Sequence, residues 1–335
     1  MRLTFTLLTL SFTFAFRIFA QDTFSIVAVD PNTGEVGSAG ASCLDNNSFP
    51  GSGGAIIISD ILPGKGAIHT QSYWVAANQN NARMKMQEGL SPQQIIAWLK
   101  QNDAEGQFGQ FKRQYGIVDF DSLGQPRSAA HTGTSCFDWK GHRTGANYSI
   151  QGNILLGPEI LDSMEAHFIA TEGMPLAFRL MYTLQGANVV GADSRCTANG
   201  TSSLSAFVRM AIPGDQPGNF YLDLNVPSLP AGMEPIDSLQ TLFDAWKAVS
   251  NIDVVEQNLR VYPNPSKGGS FRIDWPYQEK GVVNIVTTTG ETIHSAILNE
   301  GINSFNLPLP AGCYTLSIAP DGKEKPVKRL LTVYN

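Results

Sequence analysis

Cysteine, histidine and charge are all scarce in this chain: 335 residues hold 4 cysteines and 5 histidines, and 16% are charged. No Cys-x-x-Cys or His-x-x-x-His pair occurs. A zinc set would have to be assembled from Cys136, His131 and His142 without a paired unit, so no metal is expected. The glycines of Gly37–Gly40 and Gly51–Gly54 lack both the Lys-Ser/Thr of a phosphate loop and dinucleotide spacing, so no nucleotide cofactor is expected. Gly-x-Ser-x-Gly is absent, which weighs against an α/β-hydrolase. There is no basic surplus either. The formal charge is −6, and a general nucleic-acid binder needs a basic surface for counterion release. Beyond the first twenty residues no apolar run approaches the length of a membrane span.

What is present divides the chain. Met1-Arg2, the uncharged stretch Leu3–Phe16 and Arg17-Ile18-Phe19-Ala20 form the charged start, apolar run and small residue of a secretory signal peptide over 1–20, with Gln21 as the expected mature start. Export permits disulfides. Four cysteines allow three pairings, and we favour Cys43 with Cys196 because both lie beside small-residue stretches. From Gln21 to Asn258 there are 13 basic and 23 acidic residues, whereas Leu259–Asn335 has 8 basic and 6 acidic. This change in surface chemistry points to two modules, 21–250 and 259–335, joined by a linker at 251–258.

The first module reads as strands, helices, strands, helices and strands. Thr23–Val29 and Glu35–Ser42 form a hairpin around Asp30–Gly34. Ala55–Ser59, Gly66–Gln71, Tyr115–Asp119, Ser205–Ile212 and Asn219–Val226 are further strands. Helices are expected over Asn78–Glu88, Ser91–Asn102, Pro158–Thr171, Pro175–Leu184 and Ile236–Ser250. Ser91 followed by Pro92 is a helix start signal. Without strict βαβ alternation the class is α+β. The second module has short strands separated by Gly, Pro and Asn turns, a small all-β sandwich.

Val261-Tyr262-Pro263-Asn264-Pro265, Thr289-Gly290, Leu309–Tyr314 and the tail Lys328–Val333 follow one another in order. With them the second module resembles the type A sorting domain of the type IX secretion system of Bacteroidetes-type bacteria. Cys313 stands where that family usually has Val or Ile. The resemblance implies the secretion machinery as partner, passage across periplasm and outer membrane, and a secreted or cell-surface destination.

Thr23–Ala28, Asp30-Pro31, Thr33–Gly37, Thr70-Gln71, Asp138-Trp139, Gly141–Gly145 and Gln151–Leu155 also occur in sequence. Together they resemble the domain of unknown function 1028 family, from Thr23 to about Trp246. That likeness implies a four-layer αββα sandwich like the N-terminal-nucleophile hydrolases. Around Asn225–Gly232 the chain is Pro-rich where the family tends to be acidic and to carry a His. A Thr at a chain terminus can use its own α-amine as general base for its hydroxyl, because an α-amine titrates near pH ~7.7–8.0. Thr23 is therefore the candidate nucleophile of an amidohydrolase acting on a small amide, cell-wall or peptide fragment. Signal cleavage after Ala20 would leave Gln21 and Asp22 ahead of it. His142 is a candidate catalytic group in a polar loop with Asp138 to orient it; Gln151 and Asn153 are candidate oxyanion donors. Thr70, Gln71, Arg143, Gln151, Asp193 and Arg195 are candidate substrate contacts, although for the last two we favour a structural ion pair. A non-catalytic ligand-binding or surface module on the same scaffold is the alternative.

Overall fold

The computed structural model describes residues 23–249, 260–264, 266–275, 277–320 and 327–334; the expected signal peptide and the 251–258 linker fall outside the described residues. Strand β1 (Thr23–Asp30) alternates strictly, sending Phe24, Ile26 and Ala28 into one core and Val27 and Val29 into another. It turns at Asp30, where Asp30 Oδ1 accepts the Asn32 N–H at 2.8 Å, into β2 (Glu35–Ser42). β2 is built from small residues so that a helix can approach closely. A Cβ on Gly37 would sit 2.3 Å from Leu180 Cδ1.

The remaining elements of the first module are β3 (Ser59–Leu62), β4 (Gly66–Gln71), α1 (Ala76–Gln87), α2 (Pro92–Gln101), β5 (Gln114–Phe120), β6 (Pro126–Thr132), β7 (Gly141–Thr144), β8 (Tyr148–Gly152), α3 (Glu159–Ala170), α4 (Leu176–Gln185), β9 (Ser205–Ala211), β10 (Leu222–Val226) and α5 (Pro235–Val249). They form two antiparallel sheets, β10-β9-β2-β1-β8-β7 and β3-β4-β5-β6. The first buries Phe24, Ile26 and Ile150 under residues of α3, α4 and α5, among them Leu161, Leu180 and Phe243. The second packs Ile68, Tyr115 and Ile117 against Ile95 and Leu99 of α2 and Met86 of α1. Each such fully buried side chain contributes roughly 1.5–3 kcal/mol. Between the sheets Val27 and Val29 meet Ile61, Ala67 and Val118. α2 begins as anticipated, with Ser91 and Gln94 closing a reciprocal capping box ahead of Pro92.

Three local readings change. Ala55–Ser59 was expected as a buried strand, but Gly54–Ile58 is a 3-10 turn that places Ala55 and Ile58 against Phe207. Gly53 and Gly54 both have positive φ and break the extended chain there, and a short apolar run does not by itself distinguish strand from turn. Gly141–Gly145, expected as a loop, supplies edge strand β7 paired to β8. β6 and β8 were not anticipated.

The second module contains β11 (Arg260–Tyr262), β12 (Ser266–Lys267), β13 (Ser270–Trp275), β14 (Gly281–Val286), β15 (Thr292–Leu298), β16 (Gly301–Asn306), β17 (Gly312–Pro320) and β18 (Val327–Tyr334). Two sheets, β11-β13-β16 and β12-β18-β17-β14-β15, share one core of Phe271, Ile273, Trp275, Ile285, Leu316 and Leu331. The chain is thus mixed α/β with several sheets, followed by a β-rich region. Among the described residues no helix is long and apolar enough to cross a membrane.

Candidate functional site

The alternation of β1 leaves Thr23 and Ser25 facing the second sheet at the end of the layer where apolar residues give way to polar ones. Ser25 pairs in register with Gln151 of β8, which pairs with His142 of β7. One step further along, Phe24 pairs with Gly152, which sets Asn153 opposite Thr23; the Asn153 N–H donates to Thr23 O at 3.2 Å. The facing sheet contributes His69 and Gln71 from β4 and Gln114 from β5. All these side chains except His142 are buried.

Their hydrogen bonds have a fixed polarity. Gln114 Nε2 lies 3.0 Å from Gly141 O and 2.9 Å from Gly152 O, so it must donate, and Gln114 Oε1 must accept. It accepts from Gln71 Nε2 at 2.7 Å and Asn153 Nδ2 at 2.9 Å. Gln71 Nε2 also donates to Thr23 O at 3.0 Å, and Gln71 Oε1 accepts from Ser25 Oγ at 2.7 Å. Ser25 Oγ in turn accepts from Gln151 Nε2, which lies 3.1 Å from His69 Nδ1. His69 therefore carries its proton on Nε2, donating to Ser38 Oγ at 2.6 Å. Complete burial, with Arg209 as a further cationic influence, pushes the His69 pKa down to about 3, which keeps the ring neutral.

Two polar atoms stay outside this network. Thr23 Oγ1 and Asn153 Oδ1 are buried and have no hydrogen-bond partner among the described residues. Thr23 itself is 1% exposed. Three cavities of about 350, 540 and 500 Å3 lie elsewhere, against Phe178 and Phe243, against Asp30 and Arg179, and against Phe271 and Phe305. None of these is lined by Thr23, His142 or Asn153.

The candidate residues separate accordingly. Thr23, Gln71, Gln151 and Asn153 come together, with His142 at the edge of the same row. His142 Nδ1 is 2.9 Å from Thr132 Oγ1, which also lies 3.0 Å from Gln114 Nε2. Desolvation, then the charges of His131 and Arg143, lower the His142 pKa. The exposed Asp138 carboxylate bonds Lys140 at 2.6 Å and does not orient His142; Thr132 occupies that position. The NH2 group of Gln151 is already donating to Ser25 and toward His69 inside the network, so it is not free for an oxyanion, whereas that of Asn153 uses one N–H on Gln114. Arg143 points to the opposite face of β7 and pairs with Asp162 of α3 at 2.6 Å. Thr70 shares the face of Ile68 toward α1 and α2, and its Oγ1 is buried without a partner among the described residues. Asp193 and Arg195 form an ion pair at 2.6 Å, and Asp193 Oδ2 accepts the Cys43 N–H at 2.9 Å. They brace the Cys43–Cys196 disulfide, which forms as favoured above. Cys136 is buried, and no group of metal-binding residues occurs among the described residues.

Comparison with known proteins assigns both parts of the chain to families. A family of unknown function, DUF1028, matches residues 23–237. The chain belongs to that family. A secretion-system C-terminal sorting domain matches residues 260–332, so this DUF1028 protein is an exported one that engages the type IX secretion machinery and is delivered to the cell surface or beyond. A crystal structure of a DUF1028 protein from Silicibacter pomeroyi aligns at 24% identity with a TM-score of 0.51, covering 68% of this chain and 89% of that one. A biofilm-associated protein's BSP domain aligns at 10% identity with a TM-score of 0.23, covering 96% of this chain and 53% of that one. No curated protein matches.

Within this DUF1028 module, His69, Gln114, Ser25 and Thr132 are the site components that sequence reasoning missed. Ser25 carried a signal, as a polar residue between Phe24 and Ile26, and Gln114 a weaker one ahead of Tyr115 and Ile117, whereas β6 has Arg127 and His131 at its alternate positions and gives none for Thr132. The network also explains Gly116. A Cβ there would lie 1.8 Å from Gln151 Oε1. Gly116→Ala is expected to lower stability by about 1–3 kcal/mol through overpacking, with Gln151 displaced. Denaturant unfolding of the purified variant checks this, and an unchanged midpoint would contradict it.

Proposed function

We propose that the first module is an amidohydrolase of small amides or peptide fragments, built as the αββα sandwich of the N-terminal-nucleophile type, with Thr23 as nucleophile. One observation carries the reading: Thr23 Oγ1, at the first residue of a central strand, is buried with no partner among the described residues, as is Oδ1 of Asn153, the residue after the strand partner of Phe24. An unsatisfied buried hydroxyl costs about 1–3 kcal/mol, a cost that is offset where the group takes part in chemistry. Helices on the outer faces of two sheets whose inner faces meet support the layering.

In this reaction the α-amine of Thr23 takes the hydroxyl proton as Oγ1 adds to the amide carbon. The protonated amine then returns that proton to the departing nitrogen as the C–N bond breaks. Water hydrolyses the resulting ester and restores the hydroxyl. Asn153 Oδ1 accepts an N–H of the α-amine and orients it, while Gln71 holds the Thr23 carbonyl. His142 lies at the rim of the same row as a substrate contact. The amine is free only if processing removes Gln21 and Asp22.

Intact mass and N-terminal sequencing of the secreted protein, combined with an assay of amine release from a panel of small amides, test the proposal. A start at Thr23 with turnover is the expected result. A start at Gln21 with no turnover would overturn it in favour of a binding module.

A further inference from the structure

Two aromatic side chains converge beside the Thr23 row, and one buried arginine positions both. Tyr73 lies two residues beyond Gln71 and has φ +63°, with Ser72 before it at +59°. Phe137 is held from the other side: its carbonyl accepts the N–H of Ile154, the residue after Asn153, at 3.2 Å. Ile154 also has positive φ, +52°, an unfavourable conformation for a β-branched residue. The Tyr73 and Phe137 rings meet edge to face with centroids 6.5 Å apart. Phe137 is nevertheless 50% exposed, so the pair presents apolar ring surface to solvent.

Arg113 is 1% exposed and fixed by both carboxylate oxygens of Asp103 at 2.8 and 2.9 Å. Its Nη1 donates to Tyr73 O at 3.1 Å. Its own carbonyl accepts the Gly133 N–H at 2.9 Å and the Cys136 thiol at 3.4 Å, in the segment that leads to Phe137. Strained backbone held this firmly on both sides of a candidate site is pre-organisation rather than slack. Lys112 sits 5.7 Å over the Tyr73 ring and forms no ion pair among the described residues, so the rim carries positive charge.

We propose that Tyr73 and Phe137 form the subsite for an aromatic or branched apolar side group of the substrate, placed by Arg113, with Lys112 disfavouring cationic side groups. This rests on the hydrolase reading for turnover, but not for binding. An apolar group of this size is discriminated from hydrogen by tenfold or more, on the order of what such pockets achieve.

The test uses the secreted protein, its Thr23→Ala variant, and the variants Phe137→Ala and Tyr73→Asn, the latter chosen because Asn tolerates positive φ. Binding of the N-acetyl amides of phenylalanine, leucine, glycine and lysine, and of a chitin disaccharide, is followed by NMR titration, and hydrolysis of the same amides is assayed in parallel. Phenylalanine and leucine amides are expected to bind at least about tenfold more tightly than glycine or lysine amides. Both rim variants should erase that preference. Binding with this pattern but without hydrolysis sustains the subsite and removes the hydrolase. Hydrolysis without side-group preference, a preference unaffected in the rim variants, or selective binding of the disaccharide each overturns the subsite.

Discussion

Thr23→Ala is expected to bring amide hydrolysis by the secreted protein to background, a loss on the order of 10³ or more, as for other nucleophile deletions. Its thermal unfolding should hardly move. The two halves of this expectation have the same origin. Thr23 Oγ1 makes no hydrogen bond among the described residues, so its removal forfeits none there, whereas most buried polar groups cannot be deleted so cheaply. Thr23→Val, which keeps the shape and replaces the hydroxyl by a methyl, should unfold at the same temperature or higher, by about 1 kcal/mol. Thr23→Ser keeps both hydroxyl and amine and should retain activity within about tenfold. Amine-release kinetics and differential scanning of the four proteins check the series. Undiminished hydrolysis in Thr23→Ala would remove Thr23 as nucleophile.

Mild acid should destabilise the first module through His69. Its folded pKa, about 3, lies below the ordinary value of 6.5, so between those limits the unfolded chain binds a proton that the folded one refuses. Stability therefore rises with pH across that window and is lost as pH falls below 6.5. Between pH 7 and pH 5 the loss is about 2 kcal/mol. His131 and His142, both lowered by desolvation first, act in the same direction. Glu35, Asp60 and Asp119 are raised by burial, so protonating them favours the folded form nearer pH 4 and masks the effect there. Denaturant unfolding at pH 7 and pH 5 is thus the clean comparison. His69→Gln should flatten most of the difference, and equal wild-type midpoints at the two pH values would rule out the mechanism.

Elements with a local physical cause were legible in the sequence. Ser91-Pro92 marks the start of α2 because capping and a fixed proline φ act within one turn. The hairpin of Thr23–Val29 with Glu35–Ser42 was legible from its β-branched run and the Asp30–Gly34 turn. β8, Tyr148–Gly152, was not legible, because Ser149 and Gln151 are polar yet entirely buried and only their partners in other strands make that tolerable. The same reason separates the site residues. Thr23, Gln71, Gln151 and Asn153 were found through family-like motifs, while Gln114, which orients Gln71 and Asn153, sits in a strand with no motif. Asp138 was misread as the partner of His142 because closeness along the chain was the only distance available; the Thr132 hydroxyl arrives from β6, paired through β5.

The disulfide between Cys43 and Cys196 spans 153 residues and so encloses most of the first module. Closing a loop of that length removes about 5 kcal/mol of freedom from the unfolded chain in the chain-entropy description. That contribution is absent wherever thiols are kept reduced. Maturation is thereby ordered in time: the nascent chain is least committed to its fold in the compartment where it must stay translocatable, and gains its clasp only after leaving it. Because Thr23 pairs with Ser42, the residue next to Cys43, the clasp closes beside the strand end that bears the proposed nucleophile.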